Sequence, residues 1–139
     1  LLTSVADAAP GIALEGGRAR ETAPGQTVGA GYVTIINATA TPDRLLRVAS
    51  PAAAEVQIHD TSMQNGMMQM RLITAGLSIP ANAHVELKPG SMHLMLVRLA
   101  KPLVTGNSFP VTFEFERSGR LVTQFTVEST GSASATEHR

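Results

Sequence analysis

The sequence predicts an all-β protein, either a Greek-key β-sandwich or a small barrel. Apolar and polar residues alternate with a period of two along most of the chain, and no apolar stripe at helical spacing is sustained for longer than ten residues. Turn-forming residues separate the alternating runs at short intervals, as in sandwiches and small barrels. A chain of 139 residues is long enough for one domain with a hydrophobic core.

Eight strands are expected in order, because each alternating run lies between turn signals such as "PGQ", "TPD", "IPANA" and "KPG". They are Gly31–Thr39, Arg44–Ser50, Ala54–Asp60, Met67–Ile73, His84–Lys88, Met92–Leu99, Pro110–Glu116 and Leu121–Glu128. A shorter strand near Ile12–Leu14 or Ala19–Thr22 should precede them. The last two should form a hairpin with a three-residue loop at Arg117–Gly119 and Gly119 left-handed, since this keeps their apolar residues on one side.

These elements predict one domain over residues 1–128, with residues 1–10 flexible. The stretch 129–139, "STGSASATEHR", is small and polar, so we expect a disordered tail. The first residue is leucine, which fits the removal of a secretory signal peptide. All apolar runs are shorter than the roughly twenty residues that cross a bilayer, so no membrane-spanning segment is expected.

Charge and cysteine content exclude several functions. The chain has eleven basic and eleven acidic residues without a basic run, which argues against nucleic acid as a partner. It has no cysteine, so disulfides, thiolate zinc sites, iron–sulfur clusters and His-Cys-Met blue-copper sites are excluded. A metal site would have to use imidazole, thioether or oxygen ligands.

All six methionines lie between residues 63 and 95, and four of them surround an Asn-Gly pair. Asn65-Gly66 between two alternating runs predicts a two-residue type I′ hairpin turn. The expected pairs are Gln64 with Met67, Met63 with Met68, Thr61 with Met70, and His59 with Leu72. His59 and Met70 would then be diagonal neighbours on one face, about 7–8 Å apart at the backbone.

A second histidine and methionine follow at His93 and Met95, whose spacing of two places both side chains on one side of a strand. Two imidazoles and two thioethers, without thiolate or carboxylate, favour Cu(I) over zinc, calcium or magnesium. The residues alone leave an alternative open, because methionine commonly fills gaps in a core. The chain could equally be a β-sandwich module whose methionines pack internally or form an apolar patch for a partner.

The remaining histidines and methionines are weaker candidates. His84 alternates with charged residues on a solvated face, and His138 lies in the tail. Met67 and Met92 fall opposite the proposed ligands and are expected in the core, whereas Met63 and Met68 share the ligand face as spare ligands or an apolar wall. No nucleophile elbow or paired carboxylates are present, so we expect no enzyme activity.

Several blocks resemble the periplasmic copper chaperone family PCu(A)C. They are "APGQTVGAGYVTIIN", "PDRLLRVASPAAAEVQIHD", "NGMMQMR", "IPANAHVELKPGSMHLMLVRLAKPL" and "FEFERSG". The family pattern is a histidine, a methionine eleven residues later, and a His-x-Met a little over twenty residues beyond. These positions here are His59, Met70, His93 and Met95.

The resemblance implies a cupredoxin-like β-sandwich in the bacterial periplasm that binds Cu(I). We also expect a monomer, and Cu(II) as a weaker form. The resemblance implies delivery to the copper centre of cytochrome c oxidase subunit II or to another copper chaperone, with copper storage or resistance as the alternative. Members often carry a methionine two residues after the first histidine, where this chain has Thr61. Their His/Met-rich tail is reduced here to His138, so no tail site is expected.

Overall fold

The computed structural model describes residues 11–129, which form ten β-strands and no helix. The strands are β1 Ile12–Arg20, β2 Val28–Asn37, β3 Asp43–Ala49, β4 Ala53–Gln64, β5 Met67–Ile73, β6 Leu77–Ile79, β7 Ala83–Leu87, β8 His93–Leu99, β9 Ser108–Phe115 and β10 Gly119–Glu128. Within this range no helix could cross a membrane. The predictions for residues 1–10 and for the tail from residue 130 lie outside the described residues.

Seven of the strands form a closed barrel in the order β4-β8-β2-β1-β10-β9-β3, with β3 returning to β4. The closing contact between β3 and β4 is a single pair, Val48 opposite Val56. Strands β1 and β10 run parallel, and the other neighbours in the ring are antiparallel. The all-β prediction is confirmed, and of the two architectures that it left open, the ring corresponds to the small barrel.

The core fills the inside of this ring. Alternate residues of each strand point inward, and the largest buried side chains include Phe113, Phe125, Ile35, Leu45 and Leu94. On β8 this alternation buries Leu94 and Leu96 and turns His93 and Met95 to the outer face. On β4 it buries Ile58 and turns His59 outward. The histidines and Met95 therefore lie outside the core.

Three strands extend the ring, and β5 is the one that concerns the site. Strands β6 and β7 pair with β3 and β2, whereas β5 pairs with β4. The pairing of β4 with β8 ends at His59 opposite His93, the first residue of β8. Beyond this point β4 continues to Gln64 with β5 as its partner, so the β4–β5 hairpin projects from the barrel as a two-stranded ribbon.

Near the N-terminus, the two alternative short strands of the sequence prediction are the two ends of one strand, β1. Its pairing with β2 shifts between Glu15 and Arg18, where a bulge accommodates Gly16 and Gly17. The three-residue strand β6 was missed, because a run as short as Leu77–Ile79 carries no readable periodicity.

The β9–β10 turn differs from the prediction by one residue. Gly119 is left-handed, with φ 77°, but it already pairs with Phe115, so the loop spans residues 116–118. Buried Asp43 holds this loop by accepting hydrogen bonds from the Arg117 and Ser118 amides at 2.9 and 3.1 Å and from the Ser118 hydroxyl at 2.6 Å. Burial opposes the Asp43 charge, but these bonds and that from the Arg44 amide together lower its pKa below the ordinary value.

Candidate metal centre

The β4–β5 hairpin has the register that its turn predicted. Asn65 and Gly66 both have positive φ, 53° and 79°, as a type I′ turn requires. The resulting pairs include Thr61 opposite Met70 and His59 opposite Leu72. The local turn chemistry therefore places His59 and Met70 as diagonal neighbours on one face, about 7–8 Å apart at the backbone.

His59 and His93 lie directly opposite each other on β4 and β8. Their rings stack with centroids 5.8 Å apart and an interplanar angle of 28°. Both side chains are half-buried. Two imidazoles at this spacing can bind one shared ion. Histidines on strands that are not neighbours would be too far apart to do so.

His59 has one hydrogen-bonded nitrogen and one that is not. Its Nε2 lies 2.9 Å from Oε1 of Gln57, whereas Nδ1 is buried and has no hydrogen-bond partner among the described residues. Burial, and secondarily the neighbouring His93, lower the pKa of His59 below its ordinary value. A lowered pKa favours the neutral ring, which is the form that binds a metal ion.

Met95 lies beside the histidine pair. It follows His93 by two residues on the outer face of β8, opposite Gln57 of β4 and Ala30 of β2. Next to His93 and Met95 an open cavity of about 260 Å³ extends over Gly29 and Ala30 to Arg20. The thioether is half-buried, and the cavity leaves the site reachable from the β2 side.

Met70 is positioned differently from the other three residues. It lies on β5 beyond the last β4–β8 pair, and its side chain is 55% exposed. Met95 and Met70 approach the His59 position from opposite directions along β4, because they pair with Gln57 and Thr61 respectively. Both methionines are thus diagonal neighbours of His59, with Met95 half-buried on the barrel and Met70 exposed on the projecting ribbon.

The expectations for the remaining candidates are partly confirmed. His84 is exposed and Met92 packs against the core, as predicted. The prediction for Met67 was wrong: its side chain is 67% exposed, because the ribbon projects beyond the barrel and neither of its faces is covered. Met68 is equally exposed. The side chain of Met63 and the whole of His138 lie outside the described part of the structure.

Sequence reasoning did not identify Gln57 as part of the site. The available signal was its spacing of two from His59, which places both side chains on one face of β4. Across residues 11–129, no three His, Asp or Glu side chains form a metal-binding group. The donors at this site are two imidazoles and one or two thioethers, a combination that fits a soft metal ion.

Comparison with sequence families and curated proteins gives consistent results. A family model described as "Putative lipoprotein LpqE-like" matches residues 12–127. The chain is 33% identical over 90 residues to the "Putative lipoprotein Lxx21020" of Leifsonia xyli subsp. xyli, and 32% identical over 85 residues to the uncharacterized protein RP573 of Rickettsia prowazekii. These alignments cover 65% and 61% of this chain, and 48% and 47% of the two relatives, so the chain spans about half their length.

Solved structures match over most of the chain. The copper-bound PCuAC domain from PmoF2 aligns with a TM-score of 0.74 and 26% identity, over 88% of this chain and 96% of that domain. The Cu(I) form of DR1885 from Deinococcus radiodurans aligns with a TM-score of 0.69 and 26% identity, over 91% of this chain and 84% of that one. The chain therefore belongs to the LpqE-like family, and its cupredoxin-like fold is that of PCuAC domains.

Proposed function

We propose that this chain binds one Cu(I) ion and carries it to another copper protein, with His59, Met70, His93 and Met95 as ligands. The observation that carries the proposal is the stacked histidine pair beside the thioether of Met95. The buried, unpartnered Nδ1 of His59 adds a donor atom that the described residues do not otherwise use. Copper in the PmoF2 domain and Cu(I) in DR1885 support the choice of ion.

The donor set favours monovalent copper. Thioether and neutral imidazole are soft or intermediate ligands, and neither adds charge. Zinc, calcium and magnesium sites rely more on thiolate or carboxylate ligands, whereas Cu(II) prefers nitrogen- and oxygen-rich ligation. We therefore propose Cu(I) as the cargo and Cu(II) as a weaker form.

Met70 completes the site in this proposal by movement of the β4–β5 ribbon. Past His59, strand β4 pairs with β5 and no longer with β8. An isolated two-stranded hairpin is marginally stable in water, so we expect the part of this ribbon beyond the barrel to move more readily than the barrel itself. A ligand on such a ribbon can join the ion last and leave it first, which suits a protein that must release its cargo.

The acceptor that we propose is the copper centre of cytochrome c oxidase subunit II or another copper chaperone, and we propose a monomer that works in the periplasm. The names of the family and of the Leifsonia relative, both lipoprotein names, support a place outside the cytoplasm. The exposure of Met70 and the open cavity beside Met95 leave two sides from which an acceptor's ligands could approach. The proposed role is carriage and not catalysis.

The test is an anaerobic Cu(I) titration against a competing chromophoric chelator. The native protein should bind one equivalent, and His93→Ala and Met95→Ala should weaken binding with unchanged circular dichroism. His84→Ala is the matched control, because His84 is exposed on β7 away from the site. Absence of binding above the chelator background would refute the proposal and favour a partner-binding module.

Loaded protein should then be mixed with a soluble fragment that carries the oxidase copper centre. Transfer of copper to the fragment would support delivery. Retention of copper in the presence of this fragment would contradict the proposed acceptor and favour storage.

A further inference from the structure

A chain of polar contacts follows the outer face of β4 and ends at His59. Glu55, Gln57 and His59 are two residues apart and face the same side of the strand. Oε1 of Glu55 lies 3.6 Å from Nη2 of Arg98 on β8. Its Oε2 accepts a hydrogen bond of 3.1 Å from Nε2 of Gln57, and Oε1 of Gln57 lies 2.9 Å from Nε2 of His59.

The chemistry of these groups determines which atom donates and which accepts in each of these contacts. An ionised carboxylate only accepts hydrogen bonds, so Glu55 must face the amide nitrogen of Gln57. The amide oxygen of Gln57 therefore faces His59, and this oxygen also only accepts. The proton of the neutral His59 ring must then lie on Nε2. The Arg98 pair is exposed and adds little stability, but it holds one oxygen of Glu55 and leaves the other for Gln57.

We infer that Gln57 is a positioning residue that fixes the proton of His59 on Nε2 and so makes Nδ1 the atom that binds the metal ion. The inference rests on the proposed function, because it names the donor atom of the same site. Nδ1 is the nitrogen that is buried and has no hydrogen-bond partner among the described residues. A proton-free nitrogen has a lone pair available for a metal ion.

His93 has the opposite arrangement. Its Nδ1 lies 3.5 Å from the carbonyl oxygen of Ser91, which can only accept a hydrogen bond. The contact is long, but it favours a proton on Nδ1 of His93 and leaves Nε2 as the nitrogen that we expect to face the ion. In this inference the two stacked rings use different nitrogens, Nδ1 of His59 and Nε2 of His93.

A fixed tautomer favours binding because the ring needs neither to move its proton nor to turn when the ion arrives. Histidine ligands usually donate their other N–H to a fixed acceptor, and removing such an acceptor typically lowers metal affinity about 10- to 100-fold. We expect a loss in this range when Gln57 can no longer accept the His59 proton.

The first measurement needs no metal. Long-range ¹H–¹⁵N spectra of the metal-free protein, at about pH 8 where imidazole is neutral, should show Nε2 of His59 protonated and Nδ1 not. Gln57→Leu should move the ¹⁵N chemical shifts of both His59 nitrogens toward values averaged over the two tautomers. Gln57→Glu retains an acceptor and should restore the native pattern.

The second measurement is Cu(I) affinity. Gln57→Leu should lower it about 10- to 100-fold, whereas Gln57→Glu should stay within a few-fold of native. Leucine is used because methionine would bring a new thioether near the site. Gln124→Leu, at an exposed glutamine on β10, is the matched control and should change neither the spectra nor the affinity.

The outcomes separate this inference from the proposed function. A His59 ring protonated on Nδ1 in the native protein would overturn the inference, and so would native affinity in a folded Gln57→Leu variant. The native tautomer without copper binding would instead refute the proposed function. Unchanged circular dichroism in both Gln57 variants excludes misfolding as the cause of a loss.

Discussion

The rings of His59 and His93 stack 5.8 Å apart on the last pair that β4 shares with β8. One ion bound by both rings would link β4 to β8 at the base of the projecting hairpin. In the proposed site, metal affinity would depend on two residues that are thirty-four positions apart in the sequence. This dependence gives the first prediction.

His59→Ala and His93→Ala should each lower Cu(I) affinity by more than about 100-fold, because loss of a ligand should exceed the roughly 10- to 100-fold effect of losing a ligand's hydrogen-bond partner. The double variant should lose much less than the sum of the two changes in binding free energy, since both act on one ion. Competition titrations of the four proteins measure this coupling. Fully additive losses would contradict the expected coupling of the two rings through one ion.

Met70→Leu should lower Cu(I) affinity about tenfold or more, which corresponds to ~1.4 kcal/mol. Met67→Leu is the matched control: both methionines are exposed on β5, but they point to opposite faces of the ribbon. Neither change should alter the free energy of unfolding, because neither side chain is in the core. Equal affinities in the two variants would remove Met70 from the ligand set.

The stability of the metal-free protein should fall as the pH drops below about 6.5. Burial and the nearby His93 lower the pKa of His59 from 6.5. Above that value the ring is neutral in both states. Below it the His59 ring binds a proton more readily in the unfolded chain than in the folded protein. The free energy of unfolding therefore falls until the pH passes the pKa of His59 in the folded protein.

Denaturant unfolding at about pH 7.5 and about pH 5.5 measures this change. His59→Gln should reduce the difference between the two values. An identical pH dependence in native protein and variant would show that His59 does not contribute to it.

Asp43→Asn should destabilise the fold by about 1–3 kcal/mol, because it weakens a buried acceptor that holds the Arg117 and Ser118 amides. Glu114→Gln is the control, since its pair with Arg47 at 3.0 Å lies at the surface and should contribute at most about 1 kcal/mol. Thermal and denaturant unfolding compare the two. A loss in Glu114→Gln as large as that in Asp43→Asn would contradict this assignment.

Asp43 should also make the free energy of unfolding depend on pH in the acid range. Its folded pKa is lower than the ordinary 3.8, so its stabilising effect is complete above that value and is lost as the pH falls through the folded pKa. The Asp43→Asn variant should lack this part of the acid sensitivity. Acid titration of both proteins by circular dichroism tests it.

Turn chemistry and alternation, which are local, made much of the fold predictable. Asn65-Gly66 predicted the whole register of the β4–β5 hairpin, including the pairing of His59 with Leu72. The spacing of two between His93 and Met95 predicted their shared face. In each case a few neighbouring residues determine the geometry, so the sequence contains the required information.

Long-range relationships were not available from the sequence. Nothing in the pattern states that β8 is the neighbour of β4 or that their pairing stops at His59, because strand order depends on the whole chain. The error at Met67 has the same origin: alternation separates two faces of a strand but does not say which one is covered. The hydrogen bond from His59 to Gln57 depends on rotamers and therefore required coordinates.

The ring of strands closes through a single pair, Val48 with Val56, and this has a mechanical consequence. One pair of residues is the smallest contact by which β3 and β4 can be joined. We therefore expect local opening of the barrel to occur first along this seam between β3 and β4, with early amide exchange there. The seam and the hairpin share one edge of β4, whereas His93 lies across the other edge. The seam can therefore open and reclose while the histidine pair stays in place.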